Sequence, residues 1–308
     1  MKINKLFYIL LLLTIFCHSC VEDVDINKDM NIVPRLVLYS RICPQTDTIY
    51  LHLSNSQPLL NNTVKDIKEV ENAVVEISAD RSHWTRMRYN PEKKRYILPQ
   101  TEFRIREGQT YYVKASAPGY KEVFSSCKVP YFRETNLRTE LRLAKGDTHW
   151  GEYYADEHYD LYIHWDDYRG EENYYTFLSS ELYYYIDMIW DSYYHEDTLN
   201  YYDHHYFYDE ETSDFCFTDA GKDGQRLSFL YYSEFDPEYI PELPKFYFMQ
   251  LDRNCYLYET SLNDYDIIFS FLMEPGKTYN NIQNGYGLFG AYTRREYNLS
   301  QMVRVRNN

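Results

Sequence analysis

The sequence predicts a mainly β protein: an N-terminal immunoglobulin-like β-sandwich, then a second antiparallel β-rich domain with one short helix. Three observations carry that expectation. Apolar residues recur with period two in short runs, the signature of half-buried strands. Turn residues such as Pro118-Gly119 separate the runs. The 308 residues, 44% hydrophobic and 18% aromatic, exceed what one core usually covers, which argues for two domains and against disorder.

The strands follow in order. Leu36, Leu38 and Ile42 alternate with Val37, Tyr39 and Arg41, and Ile49, Leu51 and Leu53 with Thr48, Tyr50 and His52. Val75 and Ile77 oppose Glu76 and Ser78. Tyr111, Val113, Ala115 and Ala117 precede the Pro118-Gly119 turn, and Val123, Ser125, Cys127 and Val129 close the series at Pro130. The sandwich is therefore placed at 31–130 and the second domain at 131–308. In the latter, Leu161, Ile163 and Trp165 alternate with Asp160, Tyr162 and His164. Leu182, Tyr184, Ile186, Met188 and Trp190 line another strand, and Phe246, Phe248 and Gln250 alternate with Tyr247, Met249 and Leu251. A helix capped by Asp252 or Asn254 presents Cys255, Tyr258 and Leu262 at i, i+3, i+7.

The N-terminus reads as a targeting segment. Lys2 and Lys5 precede an apolar run from Leu6 to Phe16, too short for the ~20 residues that span a bilayer. With Ser19 before Cys20, residues 1–19 resemble a bacterial lipoprotein signal, in which the Cys20 thiol takes a diacylglyceryl group and the freed amine an acyl chain such as palmitate. Several acyl chains, at ~0.8 kcal/mol per buried CH₂, anchor a protein stably. Cysteine parity agrees. Removing Cys17 with the signal and assigning Cys20 to lipid leaves Cys43, Cys127, Cys216 and Cys255, an even set suited to disulfides. Cys43 with Cys127 is a reasonable pair, and the other two pairings stay open. Residues 20–30 form an acidic tether. Its Asp23, Asp25, Asn27 and Asp29 imitate a calcium loop but lack the required Gly and Glu, with Lys28 and Pro34 in their places.

Net charge is −15, so phosphate backbones are repelled and nucleic acid is not an expected partner. The charge is concentrated. Between Asp147 and Asp214 stand 19 acidic residues against one base, Arg169, and Tyr153 to Tyr208 holds 16 tyrosines. This stretch reads in three ways. It is a solvated aromatic sheet edge and loop; or a recognition surface in which Trp150, Trp165, Trp190, Tyr184 and Tyr202 stack on a glycan or peptide; or a metal site built from His195, His204, His205, Asp203 and Asp209. Consecutive histidines in a strand point to opposite faces, which weakens the last.

Gly285-x-Gly287-x-x-Gly290 matches the dinucleotide fingerprint literally. It has no βαβ context and only 18 residues after it, so these glycines read as turn and packing residues after the Asn284-Gly285 hairpin signal. Gly-x-Ser-x-Gly, HExxH, Ser-x-x-Lys and P-loop motifs are absent. Asp166-Asp167 and Glu171-Glu172 around Arg169-Gly170 suit a solvated loop better than a glycosidase pair. No enzyme activity and no cofactor are expected.

Several stretches in order resemble one family. They are the cysteine followed by acids, Gly108-Gln109-Thr110-Tyr111-Tyr112-Val113, Ala117-Pro118-Gly119-Tyr120, Trp165-Asp166-Asp167, Glu172-Asn173-Tyr174-Tyr175, Phe217-Thr218-Asp219, Asp223-Gly224, Cys255-Tyr256-Leu257-Tyr258 and the run Asn281-Ile282-Gln283-Asn284-Gly285-Tyr286-Gly287-Leu288-Phe289-Gly290. The pattern is similar to the Bacteroidetes lipoproteins grouped as domain of unknown function 4249; the Tyr/Asp/His-rich insertion, about 182–214, falls in a variable part. The resemblance implies an outer membrane lipoprotein, often encoded beside TonB-dependent transporters, and supplies no catalytic residues; the acids behind Cys20 resemble the export signal that carries such lipoproteins to the face toward the cell exterior. The expected function is capture or hand-over of a ligand such as a glycan, peptide or metal chelate as accessory to such a transporter. The alternatives are a metal or metal-chelate capture protein, and a structural or interaction lipoprotein with no small ligand.

Overall fold

The computed structural model describes residues 34–56, 68–144, 158–179, 216–235, 245–263 and 278–302. From Arg35 onward these belong to one contact unit. The strands are β1 (Leu36–Ile42), β2 (Thr48–Asn55), β3 (Val74–Ser78), β4 (Thr85–Arg86), β5 (Arg88–Asn90), β6 (Arg95–Pro99), β7 (Thr110–Ser116), β8 (Val123–Lys128), β9 (Arg138–Ala144), β10 (His158–Asp166), β11 (Tyr174–Ser179), β12 (Phe217–Thr218), β13 (Arg226–Phe235), β14 (Lys245–Leu251) and β15 (Tyr286–Asn298). Helix α1 (Arg253–Asn263) follows β14, and the four-residue α2 (Leu299–Met302) follows β15. The fold is mainly β, as expected, with a second short helix beside the expected one. Among the described residues no helix is long and apolar enough to cross a membrane.

The described strands form three sheets. One has eight strands in the order β12-β11-β14-β15-β1-β2-β6-β5, one has four, β4-β3-β7-β8, and one has three, β13-β10-β9. Pairing is antiparallel throughout the described strands except where β15 runs parallel to β1, in register Val37 with Tyr286 to Ile42 with Ala291. The boundary expected at 130/131 lies between β8 and β9, and the eight-stranded sheet runs across it, because β15 is bonded directly to β1.

Period two decides what each strand buries. On β1, β2 and β6, Leu36, Leu38, Ile42, Ile49, Leu51, Leu53, Tyr96 and Leu98 meet Val75, Ile77, Tyr111, Val113, Ala115, Val123 and Cys127 of the four-stranded sheet, making one sandwich core. The other end of the large sheet is covered by the three-stranded sheet. There Tyr175, Phe177, Phe246 and Phe248 pack on Leu161, Ile163, Trp165, Leu227 and Phe229. Strand β14 buries both faces: Phe246 and Phe248 enter this aromatic core, while Met249 and Leu251 enter a third cluster with Cys43, Cys216, Cys255, Leu288 and Tyr292.

The glycine signature has a packing explanation. A Cβ on Gly287, whose φ is +112°, would lie 2.1 Å from the Leu38 carbonyl oxygen, and one on Gly285 would lie 2.5 Å from that of Leu36. One on Gly290 would meet the Cys255 sulfur at 2.4 Å. The glycines thus let β15 approach β1 and α1 closely. Asn284 takes φ of 61°, as an Asn-Gly turn requires, yet the turn delivers β15 alongside β1 rather than closing a hairpin.

Helix α1 starts as its sequence implies: Asp252 Oδ1 accepts the Cys255 N–H at 2.9 Å, an N-cap. Its buried face differs from the expected one. Cys255 and Glu259 are buried whereas Leu262 is 41% exposed, because Glu259 is drawn inward to Arg41.

Candidate functional site

The motifs spread between Trp165 and Gly224 converge at one end of the three-stranded sheet, where β10 leaves it and β13 enters. Alternation sends the adjacent acids Asp166 and Asp167 in opposite directions. Asp166 faces outward and is held by Arg138 at 2.8 Å, by Arg226 at 3.1 Å and by Asn136 at 3.2 Å. Burial works against its charge, but the Arg226 and Asn136 bonds and the Arg138 charge bring its carboxyl below the ordinary value.

Asp167 faces inward and is buried. Its Oδ1 accepts the Tyr175 hydroxyl at 2.6 Å, and its Oδ2 accepts the Gly224 N–H at 2.7 Å. Burial, then the bond to Asp167, pushes the Tyr175 hydroxyl far up, so it remains a donor. Asp219, also buried, caps the turn opposite. Its carbonyl accepts the Lys222 N–H at 2.7 Å and its Oδ2 lies 3.4 Å from Asn173 Nδ2. Burial raises the Asp219 carboxyl, and the nearby Asp167 charge adds to the effect. Asp223 Oδ1 accepts the Gly170 N–H at 2.7 Å, which ties the two loops together.

Carboxylate oxygens of Asp167, Asp219 and Asp223 lie within 4.8 Å of one another, the spacing in which hard cations are held. Both Asp167 oxygens already accept protein donors, so the three acids serve first as the acceptors that join the two loops. A glycosidase-type arrangement does not form on the flanking acids. Glu171 is paired with Arg133, and Glu172 accepts the Tyr174 hydroxyl at 2.8 Å.

The other expected site residues fare unevenly. Trp165 is 1% exposed and its ring is surrounded by Tyr175, Phe177, Phe217 and Phe248 at centroid distances of 5.3–5.9 Å. It is a core residue and not a stacking platform, since no ring face is left for a ligand. Cys127 is a buried free thiol in the first core, whereas Cys43 lies in the third cluster with Cys216 and Cys255, so the pairing of Cys43 with Cys127 is not the arrangement found. Cys20, Trp150, Trp190, Tyr184, Tyr202, His195, His204, His205, Asp203 and Asp209 lie outside the described residues.

The joined motifs have a counterpart in sequence comparison. The model of the family described as Domain of unknown function (DUF4249) matches residues 21–298. The chain belongs to that family. A comparison with curated proteins finds no match. In this DUF4249 chain the motifs at Asp167, Asn173, Tyr175, Asp219 and Gly224 are bonded to one another, and the glycine signature seats β15 on β1. Sequence spacing had placed Asp166, Asp167, Glu171 and Glu172 in one loop; what it lacked was Tyr175 as the buried donor, visible only as a strand residue with period-two burial.

Proposed function

We propose that this DUF4249 chain is a lipid-anchored protein of the outer membrane, facing the cell exterior, that captures a ligand or hands it to a TonB-dependent transporter. The observation that carries the reading is the N-terminal sequence: Lys2 and Lys5, the apolar run Leu6–Phe16, then Ser19-Cys20 followed by Glu22, Asp23 and Asp25. That order of charge, apolar run and acylable cysteine suits export and acylation, and the acids behind the cysteine suit transfer to the outer face. The acidic tyrosine-rich segment from about Leu182 to Asp214 supports a recognition role, since tyrosine supplies large contact area with few rotatable bonds.

The test is affinity capture through a C-terminal tag from solubilised membranes of the source cell, with mass spectrometry of proteins. Recovery of a TonB-dependent transporter is expected, together with loss of membrane attachment in Cys20→Ser. Recovery of the chain alone from membranes would overturn the accessory role, and unchanged membrane attachment of Cys20→Ser would overturn the anchor.

A further inference from the structure

The solvent-facing side of the three-stranded sheet carries three side chains from three strands in hydrogen-bonded sequence. Leu161, Ile163 and Trp165 point into the aromatic core, which sets Tyr162 and His164 on the opposite face of β10. His164 stands beside Ser228 in the β10–β13 register, and Tyr162 beside Glu140 in the β10–β9 register. His164 Nδ1 lies 2.7 Å from Ser228 Oγ, and His164 Nε2 lies 3.0 Å from Glu140 Oε2. Glu140, an acceptor, places the ring proton on Nε2. Nδ1 is then the unprotonated nitrogen, and the Ser228 hydroxyl donates to it.

We propose that Ser228 is an activated nucleophile toward carboxylic esters, with His164 as its general base and Glu140 as the positioning residue that sets the histidine tautomer. The distances meet the test for such a set, a nucleophile within hydrogen-bond reach of a base that is itself oriented by a third group. Exposure divides the roles suitably: Ser228 is exposed, whereas His164 is 6% exposed with the Tyr162 ring stacked at 6.2 Å. Burial holds His164 below its ordinary value and the charges of Arg142 and Arg226 push the same way, against the opposing pull of Glu140, so the ring is a neutral base at pH 7. Arg226, two residues before Ser228 on the same face of β13, is held by Asp166 at 3.1 Å, and its charge bears on the His164 ring.

The step balances within these residues and the ester. Ser228 Oγ forms a bond to the carbonyl carbon as its proton passes to His164 Nδ1. The ester C–O bond then breaks and the departing alkoxide takes that proton. Water, deprotonated by the same nitrogen, then attacks the acyl carbon; the bond to Ser228 Oγ breaks, Oγ takes the proton back from Nδ1, and the acid is released. The inference rests on this geometry and not on the transporter reading, so either can fail without the other.

The probe is a fluorophosphonate, whose P–F bond breaks as Ser228 Oγ bonds to phosphorus. Reaction with the full chain, followed by peptide mass spectrometry, is expected to place one adduct on Ser228 and none on the exposed Ser82. Ser228→Ala abolishes the adduct, and His164→Asn slows it by roughly 10²–10⁴-fold. Labelling rises with pH through a midpoint below the ordinary histidine value of 6.5. Glu140→Gln, which preserves an acceptor but removes the charge facing His164, lowers both that midpoint and the rate. No adduct on Ser228 of the wild-type chain overturns the proposal. So does an unchanged pH profile in Glu140→Gln, which keeps the proposal falsifiable should His164→Asn fail to fold.

Discussion

Arg41 on β1 and Glu259 on α1, 218 residues apart in the chain, meet at 2.7 Å with side chains only 2% and 9% exposed. The Arg41 guanidinium also lies 5.5 Å from the centre of the Tyr292 ring on β15. One ion pair therefore joins the first strand, the helix and the last strand.

Removing one member leaves the other's charge in a low-dielectric setting, which typically costs about 3–5 kcal/mol. Glu259→Ala is expected to lose stability in that range by urea denaturation. The double substitution Arg41→Met with Glu259→Leu should recover most of the loss, since the desolvation of both charges disappears with the pair. A loss below about 1 kcal/mol for Glu259→Ala would show that water reaches the pair.

Gly287 and Gly119 form a matched comparison. Both have positive φ, +112° and +85°, but an added Cβ meets the Leu38 carbonyl at 2.1 Å in the first and nothing within 4 Å in the second. Gly119→Ala should cost about 1–2 kcal/mol, the conformational penalty alone. Gly287→Ala adds displacement of the backbone of β1 and should exceed about 4 kcal/mol. Equal unfolding midpoints for the two variants would contradict the close approach of β15 to β1.

Asp252 caps α1 from a buried position, and burial raises its carboxyl from 3.8 to about 6. The folded state thus holds the proton more tightly than the unfolded state. The group's contribution is fully present below pH 3.8 and is lost as pH rises through 6. Asparagine caps as well as aspartate and carries no charge. Asp252→Asn should therefore be more stable than wild type at pH 8 by about 2–3 kcal/mol, from roughly two pKa units at 1.36 kcal/mol each. The two should converge near pH 4. A constant difference across pH would show that Asp252 does not titrate in this range.

How far the sequence foretold this structure depends on the range of the interaction involved. Strands β1, β2, β3, β7 and β8 were legible because burial of alternate residues is written locally. The parallel β1–β15 pair was not, since nothing within either strand names a partner some 250 residues away. Glu259 broke the helical pattern for the same reason: its counter-charge comes from β1. Trp165 misled because an aromatic ring serves equally as a platform and as core, and only the crowd of rings from β11, β12 and β14 decides. The acids at 166 and 167 were found, but their opposite fates follow from their place on a strand end, which composition does not convey.

The loop clamp offers the most direct comparison between neighbours. Tyr174 and Tyr175 are adjacent, yet the first donates to exposed Glu172 at 2.8 Å and the second to buried Asp167 at 2.6 Å. Tyr175→Phe keeps the ring packing on Trp165 and Phe248 but leaves a buried carboxylate one donor short, retaining the Gly224 N–H. The expected cost is about 1–3 kcal/mol. Tyr174→Phe loses a solvent-screened bond and should stay within about 0.5 kcal/mol of wild type. Urea denaturation of both variants at pH 7 measures the difference. Identical stabilities at pH 7 would show that the Tyr175 hydroxyl does not hold the Asp167 loop in place.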